Sequence, residues 1–344
     1  MKVRLPAEWE EQDGVLLAWP HESTDWHPIL KEVEPVFIAI VQAITRFERV
    51  VLVAPDTTAL ARRLESAGVA MDRVTLCALP TNDTWARDFG PISVRENGQP
   101  TLLDFGFNGW GLKFAADLDN QITRCLHKEG IFGVVPRKTV GLILEGGSIE
   151  SDGAGTLLTT AECLLNPNRN PHLGKIELER ELQRLLGADR FLCLGSGYLA
   201  GDDTDSHIDT LARLAPNDTI LYVACDDESD EHYPALQKMA TELATFRTRE
   251  NRSYRLIPLP WPRACYDEEG QRLPATYANF LVINGAVLVP TYRDGKDDAA
   301  LQAIGEAFPG RAVLGIDCLP LIQEHGSLHC VTMQLPKGTL GSGK

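Results

Sequence analysis

The chain has 344 residues, 44% hydrophobic and 24% charged, which supplies a sizeable core and excludes wholesale disorder. With 33 Lys and Arg against 48 Asp and Glu, the net charge is −15, which argues against a nucleic-acid binder and is compatible with a cationic ligand. No apolar run reaches the roughly 18 residues of a membrane span, and the start MKVRLPAEWEEQDG lacks the apolar stretch of a secretory signal.

In chain order, short apolar runs bounded by turn residues predict strands at 14–20, 50–55, 74–79, 92–95, 101–107, 140–144, 156–160, 191–194, 208–214, 219–224, 255–259, 280–283, 286–292, 312–317 and 328–335. Helical periodicity falls at 28–47, 57–68, 117–129, 174–186, 231–248 and 297–308, with Pro28 opening the first and Gly68 and Gly187 closing the second and fourth. Four units share one form: a strand, a turn, a second strand, then a helix and in most cases one more strand. Their turns are Glu96-Asn97-Gly98-Gln99, Ser151-Asp152-Gly153-Ala154, Pro216-Asn217-Asp218 and Asn284-Gly285-Ala286, of which the Asn-Gly and Asp-Gly pairs are strong hairpin signals. A fifth unit is complete only if the run at 328–335 pairs with that at 14–20. Such repeats suggest a radial array closed by the chain ends; an open doubly wound sheet is the competing architecture and predicts fewer hairpins. The eight Cys (77, 125, 163, 193, 225, 265, 318 and 330) form no C-x-x-C pair, and most sit in strand-like runs as small buried hydrophobes. The expectation is a cytoplasmic protein with reduced thiols.

Four polar clusters stand out. In Asn82-Asp83-Thr84-Trp85-Ala86-Arg87-Asp88-Phe89-Gly90-Pro91, a carboxylate beside an indole suits a planar cation; an internally paired polar turn is the alternative. Glu145 follows the apolar run VGLIL and precedes Gly146-Gly147, which allow close approach of a ligand or backbone; a strand-end turn is the alternative. In Gly201-Asp202-Asp203-Thr204-Asp205-Ser206-His207-Ile208-Asp209-Thr210, strand alternation from Ile208 would place His207 and Asp209 on one face. A calcium loop lacks its Gly and terminal Glu there, and a solvated acidic turn remains open. In Gln323-Glu324-His325-Gly326-Ser327-Leu328-His329-Cys330, His325, His329 and Cys330 offer zinc ligands without a fourth, and Gly326-Ser327 breaks a helix. Otherwise Cys330 is a thiolate nucleophile served by His207, or one more buried thiol. Taken with Asn279, the positions Asp88, Glu145, His207 and Cys330 are spaced by 57, 62, 72 and 51 residues, near one phase of the repeat. A radial array would bring them to one pocket.

Trp-Ala-Arg-Asp-Phe-Gly-Pro at 85–91, Leu-Glu-Gly-Gly-Ser at 144–148, Asp-Thr-Asp-Ser-His-Ile-Asp at 203–209 and Gly-Ser-Leu-His-Cys at 326–330 resemble the agmatine deiminase / bacterial (Porphyromonas-type) peptidylarginine deiminase family of the guanidine-modifying superfamily. The resemblance runs from Pro6-Ala7-Glu8-Trp9-Glu10 through Phe107-Asn108-Gly109-Trp110-Gly111 to Cys330; Gln12-Asp13 departs from the His found there in many members. It implies an α/β fold, a five-bladed α/β-propeller (pentein) of ββαβ modules with pseudo-fivefold symmetry. It implies a single catalytic domain over 1–338; the end Gly341-Ser342-Gly343-Lys344 reads as frayed, and 339–344 is expected to be a flexible tail. The implied activity is agmatine deimination to N-carbamoylputrescine and ammonia, a step of putrescine and polyamine metabolism. Deimination of protein or free arginine, and a catalytically silent binding module, are the alternatives. Cys330 is the implied nucleophile, His207 the general acid/base and Glu145 its partner. Asp88 and Asp209 are implied to hold the guanidinium, Trp85 to pack beside it, Asp203 to face the substrate amine and Trp110 to line the pocket. The implied partner is a small cationic guanidine, with neither nucleic acid nor membrane; no cofactor or metal is expected, and homo-oligomerisation is compatible with the reading. The chemistry is consistent. Two carboxylates fix the plane of a delocalised cation and align its carbon with sulfur. An imidazolium then protonates the departing ammonia and later deprotonates water.

Overall fold

Val15-Leu16-Leu17-Ala18 and Val50-Val51-Leu52-Val53 are apolar at every position, the pattern of strands covered on both faces. In the computed structural model, which describes residues 2–341, they lie buried side by side as parallel strands of one sheet. The fold is mixed α/β.

Five sheets share one plan among the described residues: an antiparallel pair, a helix, then a strand that returns parallel to the second. The members are Ile92–Glu96 with Gln99–Gly106 and Arg137–Ile143; Ile149–Ser151 with Thr156–Thr160 and Arg190–Leu194; Ala212–Ala215 with Thr219–Val223 and Arg255–Leu259; and Leu281–Ile283 with Ala286–Thr291 and Ala312–Asp317. In the fifth, Met333–Pro336 runs antiparallel to Gln12–Ala18, which is followed in parallel by Arg49–Ala54 and Val74–Ala78. The chain ends therefore share one sheet, as the sequence pattern anticipates, and separate three- and four-stranded sheets replace the open doubly wound alternative. The crossover helices are Leu30–Thr45, Ile122–Lys128, Lys175–Leu186, Tyr233–Thr245 and Asp297–Ala307. Buried apolar residues of all five sheets belong to one continuous core. Gly187 ends its helix at φ 71°, where a Cβ would stand 2.0 Å from the Val3 carbonyl oxygen.

Three expected strands are placed differently. Of residues 140–144, all but Leu144 belong to the returning strand Arg137–Ile143, and the following hairpin begins at Ile149. Ile208–Thr210 is a single 3₁₀ turn, closed by Thr210 Oγ1 donating to the His207 carbonyl at 2.9 Å, and the strand starts at Ala212. Strand alternation therefore does not relate His207 to Asp209. Leu328–Val331 is a turn, because Asn279 Oδ1 accepts the N–H groups of His329 and Cys330; the strand waits until Met333.

The tail expected to be loose from 339 is tied down as far as it is described. Leu340 N–H donates to Asp13 and Gly341 N–H to the Ile131 carbonyl, at 2.9 and 3.0 Å. Residues 342–344 of that tail lie outside the described residues. No helix among the described residues is long and apolar enough to cross a membrane.

Candidate active site

The polar positions lie where strands hand over to turns. Asp88 is in the one-turn helix Ala86–Phe89, before a strand. Glu145 follows Arg137–Ile143 and starts the 3₁₀ turn Gly146–Ser148. His207 and Asp209 belong to the turn before Ala212–Ala215, Asn279 precedes Leu281–Ile283, and Cys330 precedes Met333–Pro336. All six are buried.

Gly147 marks where they converge. A Cβ added there would lie 2.6 Å from His207 Nδ1, 2.9 Å from Asp88 Oδ1 and 3.1 Å from Asp209 Oδ2. Its own N–H donates to Asp88 Oδ1 at 2.9 Å, and the Trp110 indole N–H donates to Asp88 Oδ2 at 2.9 Å. His207 Nδ1 is 3.7 Å from Asp88 and its Nε2 3.9 Å from Glu145. Glu145 accepts from Arg169 Nε at 3.0 Å. The Asn279 amide donates to Cys330 Sγ at 3.2 Å.

The electrostatics divide these groups. Burial pushes the Cys330 thiol well above its ordinary value, and Asp209 and Asp88 push it further. Burial alone would lower the His207 pKa, but Asp88, Cys163 and Glu145 outweigh it and push the ring well above its ordinary value. Burial raises the Asp88 carboxyl, and Asp209 and Glu145 add to that against the opposing pull of His207. Asp209 is driven up by burial but held below its usual range by His329, and Glu145 likewise by His207 and Arg169. Asp209 Oδ1 and both ring nitrogens of His207 are buried without a protein hydrogen-bond partner. Such atoms are costly unless a polar ligand meets them.

A cavity of about 500 Å³ opens onto Cys330 and Asp88. Trp85 and Trp110 line it, their rings 6.3 Å apart. Asp25, Asp83, Asp202, Asp203 and Glu324 line it as well. Burial, with nearby carboxylates, lifts Asp203 to about 6, Asp83 to about 7 and Glu324 to about 7. Carboxylates so close together and so poorly solvated favour a cation among them.

The zinc set weighed at His325, His329 and Cys330 is not assembled. His325 Nδ1 meets the Gly201 carbonyl at 2.8 Å, while His329 is bound to Asp209 and Glu8. Among the described residues, the Glu, Cys and His atoms close enough to share an ion are Glu145–Cys163–His207 and Glu8–Glu150–His329, neither with Cys330. In the second group the Arg213 guanidinium already bridges Glu8 and Glu150. The acidic run is likewise no calcium loop: Asp202 accepts from Ser206 N–H at 2.7 Å, and Asp205 pairs with Lys113 and Arg169.

Sequence reasoning singled out Asp88, Glu145, His207, Asp209, Cys330, Trp85, Trp110 and Asp203, and these residues surround one cavity and its floor. It held Asn279 only as a spacing marker. It did not find Arg169 or Cys163 beside Glu145, nor Glu8 and Arg213 beneath Asp209, because such pairs carry no local signature.

The fold and this cluster define a class: a mixed α/β enzyme of deiminase type. The model for the Porphyromonas-type peptidyl-arginine deiminase family matches residues 4–336, and the chain belongs to that family. A curated relative from Shewanella baltica, named a candidate agmatine deiminase, is 35% identical, covering 97% of this chain and 94% of the relative. The solved structure of a candidate arginine deiminase from Porphyromonas gingivalis is 50% identical, with TM-score 0.94, covering 99% and 100% of the two chains. The structure of C. jejuni agmatine deiminase with substrate bound is 40% identical, with TM-score 0.90, covering 98% and 97%.

Proposed function

We propose that the protein is an agmatine deiminase, which hydrolyses the guanidinium of agmatine to N-carbamoylputrescine and ammonia. The observation that carries the choice of substrate is a cavity with two anionic ends. Asp88 and Asp209 stand at the buried floor, and Asp203, Glu324, Asp83 and Asp25 line the cavity leading to it. Agmatine is cationic at both ends. Free arginine would bring an α-carboxylate among these acids, and a peptidyl arginine lacks the second cation. The names of the Shewanella and C. jejuni relatives agree.

On this reading Asp88 and Asp209 take the guanidinium N–H groups, and Trp85 and Trp110 flank the stem. The bound cation lowers the cost of forming the Cys330 thiolate, whose proton passes to solvent as the substrate enters while His207 keeps its own. Sulfur attacks the guanidinium carbon, forming a C–S bond and a tetrahedral adduct. His207 gives its proton to the leaving nitrogen, the C–N bond breaks and ammonia departs, leaving an S-alkylthiouronium on Cys330. His207 then takes a proton from water, whose oxygen attacks the same carbon, and the C–S bond breaks to return Cys330 and the ureido product. Glu145, 3.9 Å from His207 Nε2, favours the protonated ring by its charge, and Arg169 holds Glu145.

The five sheets of one plan, the shared sheet of the chain ends and the common place of the site residues in each sheet support a five-bladed pentein propeller forming one catalytic domain. The substrate supplies a place in putrescine formation in the cytoplasm. One assay tests the function: ammonia release from agmatine, free arginine and an arginine peptide. The expected result is the highest kcat/KM for agmatine by about 100-fold or more, the scale of unpaired buried charge. Preferential turnover of the peptide would move the activity to protein arginine, and turnover of none would leave a binding module.

A further inference from the structure

Cys330 lines the cavity, while its neighbour His329 is buried beneath the floor with 1% of its surface exposed. The His329 ring spans two carboxylates, with Nδ1 2.7 Å from Asp209 Oδ2 and Nε2 2.8 Å from Glu8 Oε2. A carboxylate facing Nδ1 requires the proton there, so Nδ1–H donates to Asp209. The far side of the ring is fixed as firmly. Glu8 accepts from Arg213 Nη2 at 2.9 Å and from the Val282 N–H at 2.7 Å. Arg213 is itself bound to Glu150 and to the carbonyls of Ala278 and Phe280, and its guanidinium lies over the Phe280 ring, 4.4 Å from the centroid. Arg213 Nη2 also stands 3.0 Å from His329 Nε2. The imidazole thus has little freedom to turn.

The consequence falls on Asp209. One of its oxygens is committed to His329, and the other, Oδ1, is buried with no partner in the protein. A carboxylate tethered through one oxygen presents the second in a fixed direction. We propose that His329 is a positioning residue: its Nδ1–H, braced by Glu8 and Arg213, anchors Asp209 Oδ2 so that Oδ1 is left to receive an N–H of the substrate guanidinium. This rests on the reading that Asp209 binds that group. His329 acts through Asp209 and touches no reacting atom, in the way that outer groups orient ligands in other sites.

The test separates binding from chemistry. Agmatine binding is measured by calorimetry in a Cys330→Ser background, alone and combined with His329→Leu or His329→Asn. Asparagine keeps a donor at the place of Nδ1, and leucine keeps bulk without one. In the enzyme with its cysteine, the rate of Cys330 alkylation by iodoacetamide is followed against pH without substrate. The expected result is at least about tenfold weaker binding with His329→Leu, recovery to within about threefold with His329→Asn, and the same alkylation profile in both. Unchanged binding in a folded His329→Leu variant overturns the proposal, as does an equal loss in both variants, which would mark the ring as packing only. If His329→Leu does not fold, His329→Asn decides: binding within about threefold supports the donor role, and a tenfold loss overturns it. Absence of agmatine binding in Cys330→Ser alone would instead count against the substrate reading.

Discussion

Gly147 lies where the side chains of His207, Asp88 and Asp209 converge. A methyl group there would stand 2.6 Å from His207 Nδ1, inside any normal contact, and within reach of both carboxylates. Gly147→Ala is expected to lower kcat/KM by about 100-fold or more while the protein still folds, since a misplacement of about 1 Å at reacting groups costs that much. Steady-state kinetics alongside a thermal melt checks this; an alanine variant with wild-type kcat/KM would show that the space is not used. Glycine at 147 was legible as an allowance for close approach after Glu145, and Asp88, Glu145, His207, Asp209 and Cys330 were legible by type and order. Their second contacts were not. Glu8 and His329 are 321 residues apart and Arg213 and Glu8 205 apart, and a pairing at such separations leaves no trace in a local motif.

The segment Gly109–Leu112 is the element most specific to the site. Its four residues have φ of 64°, 52°, 90° and 67°, a left-handed run in which Trp110 and Leu112 each cost about 1–2 kcal/mol. Asn108 offsets this by accepting Gly111 N–H at 2.9 Å and donating to the Asn168 carbonyl at 2.9 Å. The outcome is an indole N–H aimed at Asp88. Trp110→Phe keeps most of the aromatic wall and removes that donor. It is expected to reduce kcat/KM for agmatine by about tenfold, the worth of one hydrogen bond to a buried charge. Initial-rate measurements decide; an unchanged kcat/KM would mean that Gly147 N–H alone holds Asp88. The glycines of this segment hinted at an unusual backbone, but nothing local indicated where it points. The same limit explains the strands expected at 208–214 and 328–335. Both runs are apolar enough to read as strands, yet their N–H and carbonyl groups are taken by His207, Asn279 and neighbouring turns. These misplaced stretches carry the residues proposed for chemistry.

For the whole molecule, the pairing of Met333–Pro336 with Gln12–Ala18 joins the chain ends, and it was legible because both runs were apolar and otherwise unpartnered. Ending the chain after Thr332 would keep Cys330 but remove the buried Met333 and Leu335, each worth about 1.5–3 kcal/mol. Such a chain is expected to melt at least about 10 °C lower, or not to fold, by circular dichroism. An unchanged melting temperature would show that this strand does not close the fold. The net charge of −15 also gains an address in the cavity acids. Asp203, Asp83 and Glu324, raised to about 6, 7 and 7, are partly protonated at pH 6 and ionise as pH rises to 8. A dication is bound better by the ionised form, so the KM for agmatine is expected to fall from pH 6 to 8. Because the folded state holds protons that the unfolded chain has already released above about pH 4, these three groups contribute stability at low pH that is lost as pH climbs through about 6 to 7. The melting point without ligand should drop over that window, and added agmatine should restore more of it at pH 8 than at pH 6. A KM and melting point flat between pH 6 and 8 would contradict a cation-binding role for these acids.

The most direct measurement is mass spectrometry of the protein, quenched in acid during turnover of agmatine and then digested. A transient adduct on the peptide carrying Cys330, with the mass of agmatine less ammonia and absent from Cys330→Ala, is the result expected. Steady turnover with Cys330 unmodified, and a Cys330→Ala protein as fast as the wild type, would contradict covalent catalysis at this cysteine.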